Sequence, residues 1–388
     1  MNLMDILLES NGIQENSQSI STDQSGLYCS LPIGQQISIK FNNSINSKYS
    51  QNDFVAFLVE TKNNKEASSF IISLTKQRKL GYVFPITALS SYEHLPEDEW
   101  ADVYGSFALQ FLVNDSDFHQ HTNVPDLGEK FDLNISDFYS ENFAVVILGK
   151  TSLEQNNINK NQVKLILMEH GYFSCEELNS NNLYSELEEN TTGGEKIVIG
   201  ELSSDIDEGL SIKMDWLLST SLREENPFSC FLTLYQVIES LSIKVFNACI
   251  EVIKENDVID NPWLLKEKLN NVTNEKKRLK LLFSSFLKSG INAVIMDLFH
   301  QKCGEFLLEH NLVRESPTKV IDAFYKVRNT IVHRQVELNP SSYENIKNIN
   351  LILYNICFEL IRNLNIEKGK DEFKKNLAKE EVQEEEEA

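Results

Sequence analysis

Hydrophobic positions change their period near residue 210. Before it they come in short runs rich in Val, Ile and Phe: Gln36–Phe41, Phe54–Glu60, Ser69–Leu74, Gly81–Ile86, Phe107–Val113, Phe143–Leu148, Val163–Met168 and Lys196–Gly200. Asn, Ser, Gly and Pro separate them, so strands are predicted, several with the apolar/polar alternation of a sheet wetted on one face. Short helices are expected near Asp137–Tyr139 and Cys175–Glu189. Residues 1–26 begin with a brief amphipathic stretch and turn Ser/Gln/Asn-rich, which reads as a loose arm. The acidic stretch Glu201–Asp215 reads as a connection between domains.

Beyond it the apolar residues recur at helical spacing. Helices are predicted at about 214–225, 229–256, 262–271, 274–288, 292–312, 317–334 and 342–364, punctuated by Pro227, Pro262, Pro317 and Pro340. The charged end KKNLAKEEVQEEEEA reads as disordered or frayed helix. The fold class expected is therefore α+β and multidomain. It comprises a flexible arm (1–26), a β-rich recognition or regulatory domain (27–210), an all-α bundle (214–365) and an acidic tail (366–388).

Charge changes this picture only when divided. The chain of 388 residues carries a net −22. Residues 1–215 hold 13 Lys and Arg against 32 Asp and Glu, residues 216–376 hold 22 against 20, and the tail 377–388 holds 1 against 6. Acidity belongs to the front half and the tail, so the helical half has room for a local basic patch, while a general binder of long duplexes is excluded. No apolar run approaches the roughly 20 residues of a membrane span, and the start MNLMDILLESNG lacks the basic region of an export signal. Six scattered cysteines without a C-x-x-C pair fit reduced core thiols, and a cytoplasmic protein is expected.

The front half offers little chemistry. Gly193 and Gly194 are followed by Glu195 and Lys196, which misses the spacing of a phosphate loop, and no G-x-S-x-G elbow occurs. Asp115, Asp117, His119 and His121 alternate, and would line one side of an extended segment; a solvated loop is the plainer reading. No metal site and no cofactor are expected.

The helical half is different. In Pro317–Gln335 (PTKVIDAFYKVRNTIVHRQ), Val320, Ala323, Phe324, Val327 and Ile331 form an apolar stripe, with Ser316 and Pro317 placed to start the helix. Asn329 and His333 are one turn apart and share a face; Arg328 lies about 100° away and must reach round. A guanidinium, an amide and an imidazole together suit an oxyanion such as a phosphodiester, because Arg offers a rigid fork of donors and imidazole passes protons near neutral pH. In the long helix over 229–255, Tyr235 and Glu239 are i,i+4 neighbours beside the apolar stripe. Glu239 is then either a partner for Arg328 or His333, or a pair with Lys244 or an exposed carboxylate; Tyr235 is either functional or a core aromatic.

The string Arg328-Asn329-x-x-x-His333 resembles the R-x4-6-H signature of HEPN domains, and Tyr235-x-x-x-Glu239 resembles the Y-x-x-x-E of their first long helix, as in the Apea-like anti-phage group. The resemblance covers roughly residues 216–365. It implies an up-and-down helical bundle that dimerises with two motifs facing each other, and a metal-independent endoribonuclease acting in the cytoplasm in abortive infection. On that reading His333 is general base or acid and Arg328 neutralises the non-bridging oxygens. Asn329 fixes the His333 tautomer or touches phosphate, Glu239 orients Arg328 or His333, and Lys326, Arg334 and Tyr235 bind RNA. The front domain becomes a sensor for a phage-derived trigger or a regulatory partner. The alternatives are a non-catalytic HEPN-like dimer that binds RNA or a partner, and a toxin of a toxin–antitoxin pair.

Overall fold

The computed structural model describes residues 2–13, 19–23, 26–31, 35–40, 48–61, 70–75, 78–91, 100–128, 131–174, 196–198, 203–255, 262–334, 338 and 342–387. The chain is α+β, with a β-rich region followed by a helical one. It divides into two compact units, Met1–Glu176 with Glu189–Gly200, and Glu201–Ala388 with Glu177–Glu188.

The first unit carries two sheets. β1 (Ser19–Asp23), β2 (Gly26–Ser30), β3 (Gln36–Lys40) and β7 (Asp132–Asn134) form one, in that order, with β3 and β7 parallel. The second runs β10-β5-β6-β8-β4-β9, built from β4 (Phe54–Thr61), β5 (Phe70–Thr75), β6 (Arg78–Pro85), β8 (Phe143–Gly149), β9 (Tyr172–Ser174) and β10 (Lys196–Val198). Its ladders are antiparallel except β10 with β5.

Tyr82, Phe84, Val145 and Ile147 share a core with Phe107, Ala108 and Leu112 of a helix. The alternate residues Val83, Val146 and Leu148 are buried too. A strand covered on both faces reads as an unbroken apolar run, which is how β8 appears in the sequence.

Three expectations fail here. Phe107–Val113 is helical, inside α3 (Ala101–Asn114), and Val163–Met168 lies inside α6 (Lys160–Glu169). A run of six or seven apolar residues fits a buried strand or a buried helix equally well. In α6 the deciding signal was local: Asn159 accepts from the Gln162 N–H at 2.9 Å and Gln162 accepts from the Asn159 N–H at 3.0 Å, a reciprocal cap.

The described parts of the expected loose arm belong to the fold: α1 (Leu3–Ser10) buries Leu3, Met4, Leu7 and Leu8 in the core, and β1 follows it. Between them α2 (Ile86–Ser91), α4 (Ser116–His119) and α5 (Lys150–Gln155) complete the helices of this unit among the described residues. A single 3-10 turn at Ile135–Asp137 stands where a short helix is expected, and the expected helix over 175–189 lies outside the described residues.

Among its described residues the elements of the second unit are helices: α7 (Glu208–Arg223), α8 (Pro227–Glu255), α9 (Pro262–Thr273), α10 (Glu275–Ser284), α11 (Ala293–Glu309), α12 (Val320–Arg334), α13 (Ser342–Asn363) and α14 (Ile366–Glu387). α8 is its spine. Phe231, Leu234, Ile238, Leu241, Val245 and Cys249 are buried along it, and α7, α10, α13 and α14 pack around it. The Asn350 amide donates to the Pro227 carbonyl at 2.8 Å, pinning α13 to the start of α8.

The tail departs from expectation. α14 continues through it, burying Phe373 and Leu377, with Lys370 and Lys374 paired to Glu251 and Glu255 of α8 at 2.8 and 2.9 Å. Gly369 makes this approach possible, since a Cβ there would lie 2.2 Å from the Phe286 ring. Cys29, Cys230, Cys249, Cys303 and Cys357 are buried free thiols; Cys175 lies outside the described residues. No described helix is long and apolar enough to cross a membrane.

Candidate active site

α12 positions the motif. Its Ala323, Phe324, Val327 and Ile331 are buried, and the Phe324 ring sits among Phe231, Tyr235 and Phe299 at centroid distances of 5.9, 5.4 and 5.3 Å. That aromatic cluster fixes the helix in rotation as well as position. The helix begins at Val320, not at Pro317, because the Pro317 carbonyl accepts a 2.6 Å hydrogen bond from His300 and the first turn is built on Lys319.

Arg328 emerges at the boundary between core and solvent. Its guanidinium lies over the Tyr235 ring at 5.2 Å, stands 3.4 Å from a Glu275 carboxylate oxygen, and donates to Asn329 Oδ1 at 3.0 Å. The Tyr235 hydroxyl donates to the same Glu275 oxygen at 2.7 Å. Burial first, then this hydrogen bond and the Glu275 charge, push the phenol far above its ordinary range, so it stays protonated as a donor. Arg328 and Glu275 side chains are each 21% accessible, dry enough for the contact to orient the guanidinium, and the Arg328 Nε is buried without a hydrogen-bond partner.

α10 supplies a second strap. Lys276 and Lys280 reach Asp322 of α12 at 3.1 and 3.2 Å. Desolvation raises the Asp322 carboxyl pKa, but the two lysines outweigh it and hold the group below its usual range.

The structure sorts the residues expected here into three groups. Arg328 and Asn329 are brought into direct contact. Lys326, Asn329 and His333 share one face of α12 at spacings of three and four, with Lys326 and His333 exposed; Arg334 is exposed at the helix end.

Of the alternatives open for Glu239, the structure matches the exposed carboxylate and not the partner of Arg328 or His333. It is exposed, and among the described residues no hydrogen bond or ion pair joins it to Arg328 or His333. Glu275 takes that role. Nor does Glu239 pair with Lys244, which reaches Asp207 instead.

Tyr235 is 3% exposed with its hydroxyl committed to Glu275, so it supports Arg328 from beneath. Glu275 escaped the sequence reading because only tertiary packing brings it to Tyr235, 40 residues away. Its one local signal is an acidic residue heading a basic helix: Asn274 caps α10 by accepting from the Lys277 N–H at 3.1 Å, and a carboxylate in a first turn is favoured by the helix dipole.

The Asp115/Asp117/His119/His121 set is not a metal cluster, and no group of three or more potential ligands occurs among the described residues. Asp115 caps α4, which breaks the alternation, and His119 Nε2 lies 3.2 Å from the Val113 carbonyl.

Chemically, the α12 face offers an oriented guanidinium, an amide and a solvent-facing imidazole within two turns. Its place at a helix C-terminus is by itself unfavourable to an anion, so Lys326, Arg328 and Arg334 must outweigh the carbonyl dipoles there. A scan against protein-family models, a search of curated proteins and a search of solved structures each returned no match.

Proposed function

We propose that the helical unit is a metal-independent endoribonuclease of the HEPN kind, with Arg328 and His333 at its centre. The observation that carries the reading is the seating of Arg328 between the Tyr235 ring, Glu275 and Asn329, one turn before an exposed His333. The Tyr235 ring, Glu275 and Asn329 hold the planar guanidinium in place while its side chain stays 21% accessible, which suits a preorganised donor to an oxyanion.

RNA brings its own nucleophile. His333 takes the proton of the 2′-hydroxyl as O2′ bonds to phosphorus, and Arg328 stabilises the charge gathering on the non-bridging oxygens. The P–O5′ bond breaks and the departing oxygen takes a proton from an imidazolium. The products are a 2′,3′-cyclic phosphate and a 5′-hydroxyl end. One imidazole in each motif leaves the second proton transfer to the His333 of a second copy, in a homodimer with the two motifs face to face. Lys326 and Arg334 hold neighbouring phosphates.

In a cell this activity fits growth arrest in anti-phage defence, with the front unit answering a phage-derived trigger or a regulatory partner. Because Arg328 also makes internal contacts, RNA binding without cleavage is the second reading. Incubating the protein with a labelled single-stranded RNA separates them. Cyclic-phosphate products that persist in EDTA and vanish in both Arg328→Ala and His333→Ala support the enzyme. Binding by the wild type without any products supports the second reading.

A further inference from the structure

The first unit contains a cavity of about 540 Å³. It lies where β8 ends at Gly149 and gives way to α5, far in sequence from the α12 motif and built wholly from the first unit. Tyr49, Phe54, Trp100 and Tyr104 line it on one side. Their rings meet in sequence: Tyr49 on Trp100 at 5.6 Å, Tyr49 on Phe54 at 6.2 Å, and Phe54 on Tyr104 at 5.0 Å. Trp100 is 43% exposed, unusual for so large an apolar ring and suited to stacking a planar guest.

The opposite chemistry sits beside the rings. Lys48 and Lys79 bring two ammonium groups, Thr151 and Ser152 two hydroxyls, and Asp53 one carboxylate. One of the three N–H donors of Lys79 goes to the Tyr82 hydroxyl at 2.8 Å, which holds the ammonium in place. Gly149 leaves room for the Tyr104 hydroxyl, since a Cβ there would lie 2.8 Å from it and that side chain would have to shift. In a unit so rich in carboxylates, two lysines lining one aromatic cavity are chemistry that suits an anion with a flat ring.

We infer that this cavity binds a nucleotide, its base stacked on Trp100 and Tyr49 and its phosphate met by Lys48, Lys79 and the Thr151 and Ser152 hydroxyls. The volume falls in the range of small-molecule sites and exceeds what a phosphate alone would occupy. A cavity for a nucleoside would have no use for two cations, and one for inorganic phosphate no use for four aromatic rings. Asp53 faces the ribose hydroxyls or the exocyclic amine of a base, both of which donate. The source is either a free nucleotide or the terminal nucleotide of an RNA strand. The inference does not depend on the ribonuclease reading.

Calorimetric titration of the full chain with the four ribonucleoside 5′-monophosphates tests it, with adenosine, inorganic phosphate and a 5′-phosphorylated tetranucleotide alongside. At least one mononucleotide should bind, at least about tenfold more tightly than adenosine or phosphate, and Lys48→Ala and Lys79→Ala should each weaken it at least about tenfold. Trp100→Phe should abolish the fluorescence change that accompanies binding, while Arg328→Ala should leave affinity unchanged. Measured on Arg328→Ala, where the α12 motif is disabled, a tetranucleotide that binds more tightly than any mononucleotide and loses that affinity when Lys48→Ala is added assigns the site to RNA ends, and the reverse order to free nucleotides. Failure of all these ligands to bind the wild type at millimolar concentration overturns the inference. So does binding that is lost in Arg328→Ala but kept in both lysine variants.

Discussion

In the proposed function Arg328 concentrates the chemistry, and its neighbours define what each substitution tests. Arg328→Lys keeps the charge but loses the planar fork that lies on Tyr235 and faces Glu275, so cleavage should fall at least about 100-fold. Tyr235→Phe keeps the ring and drops only the hydroxyl that donates to Glu275. It should cost about 1 kcal/mol of stability in urea denaturation, and less than about tenfold in single-turnover cleavage, since one support of the guanidinium is lost and the guanidinium stays. A phenol in the chemistry itself would make Tyr235→Phe as inactive as Arg328→Ala. Glu275→Gln should slow cleavage more than Glu239→Gln, because the contact with Arg328 belongs to the former. Arg328, Asn329 and His333 were legible in the sequence because they lie within two turns of one helix, where spacing dictates geometry. Glu275 was not, because an ion pair across helices is set by packing that no local pattern encodes.

At the scale of elements, helix ends and packed seams decide behaviour. Gly369→Ala would drive a Cβ into the Phe286 ring and lift α14 from the body of the bundle, so a loss of about 1–3 kcal/mol is expected from overpacking. Differential scanning calorimetry of the variant beside the wild type reads it, and an unchanged Tm would mean that α14 is not held at this point.

The α3–α4 corner makes a pH-dependent seam. Burial lowers the pKa values of His119 and His121; for His119 it outweighs hydrogen bonds to the Val113 and Leu112 carbonyls, which act in the other direction. A histidine whose folded pKa lies below its unfolded value favours folding most while neutral. Its contribution is therefore complete above about pH 6.5 and declines as pH falls toward the depressed folded pKa. The raised Glu60 carboxyl, also shifted by burial, acts with the opposite sign, favouring folding as it protonates. The sharp test is thus a difference: the Tm of the wild type should fall between pH 6.5 and 5 by more than that of His119→Gln/His121→Gln. The same corner shows why α3 escaped recognition. A strand and a helix buried on all sides present the same apolar letters, and only the Asp115 cap of the next turn separates them.

For the whole molecule the proposed function raises the question of how so acidic a chain would meet RNA. Residues 1–215 carry 32 Asp and Glu against 13 Lys and Arg, whereas 216–376 are close to balanced, so long-range attraction is weak and affinity must come from local contacts. α12 offers three cations to phosphates in each copy, Lys326, Arg328 and Arg334. Counterion release then gives a slope of log Kobs against log salt of about −2 for single-stranded RNA on one copy, and about −4 where two motifs face one strand. The slope therefore reports the number of copies at the site independently of catalysis, and can be measured by fluorescence anisotropy on His333→Ala, which binds without cutting. A face-to-face homodimer predicts about −4, together with a dimer mass in native mass spectrometry at the same concentrations. A slope near −2 from a monomer that still cleaves would require both proton transfers to be served by one chain, and the shared-site arrangement would have to be abandoned.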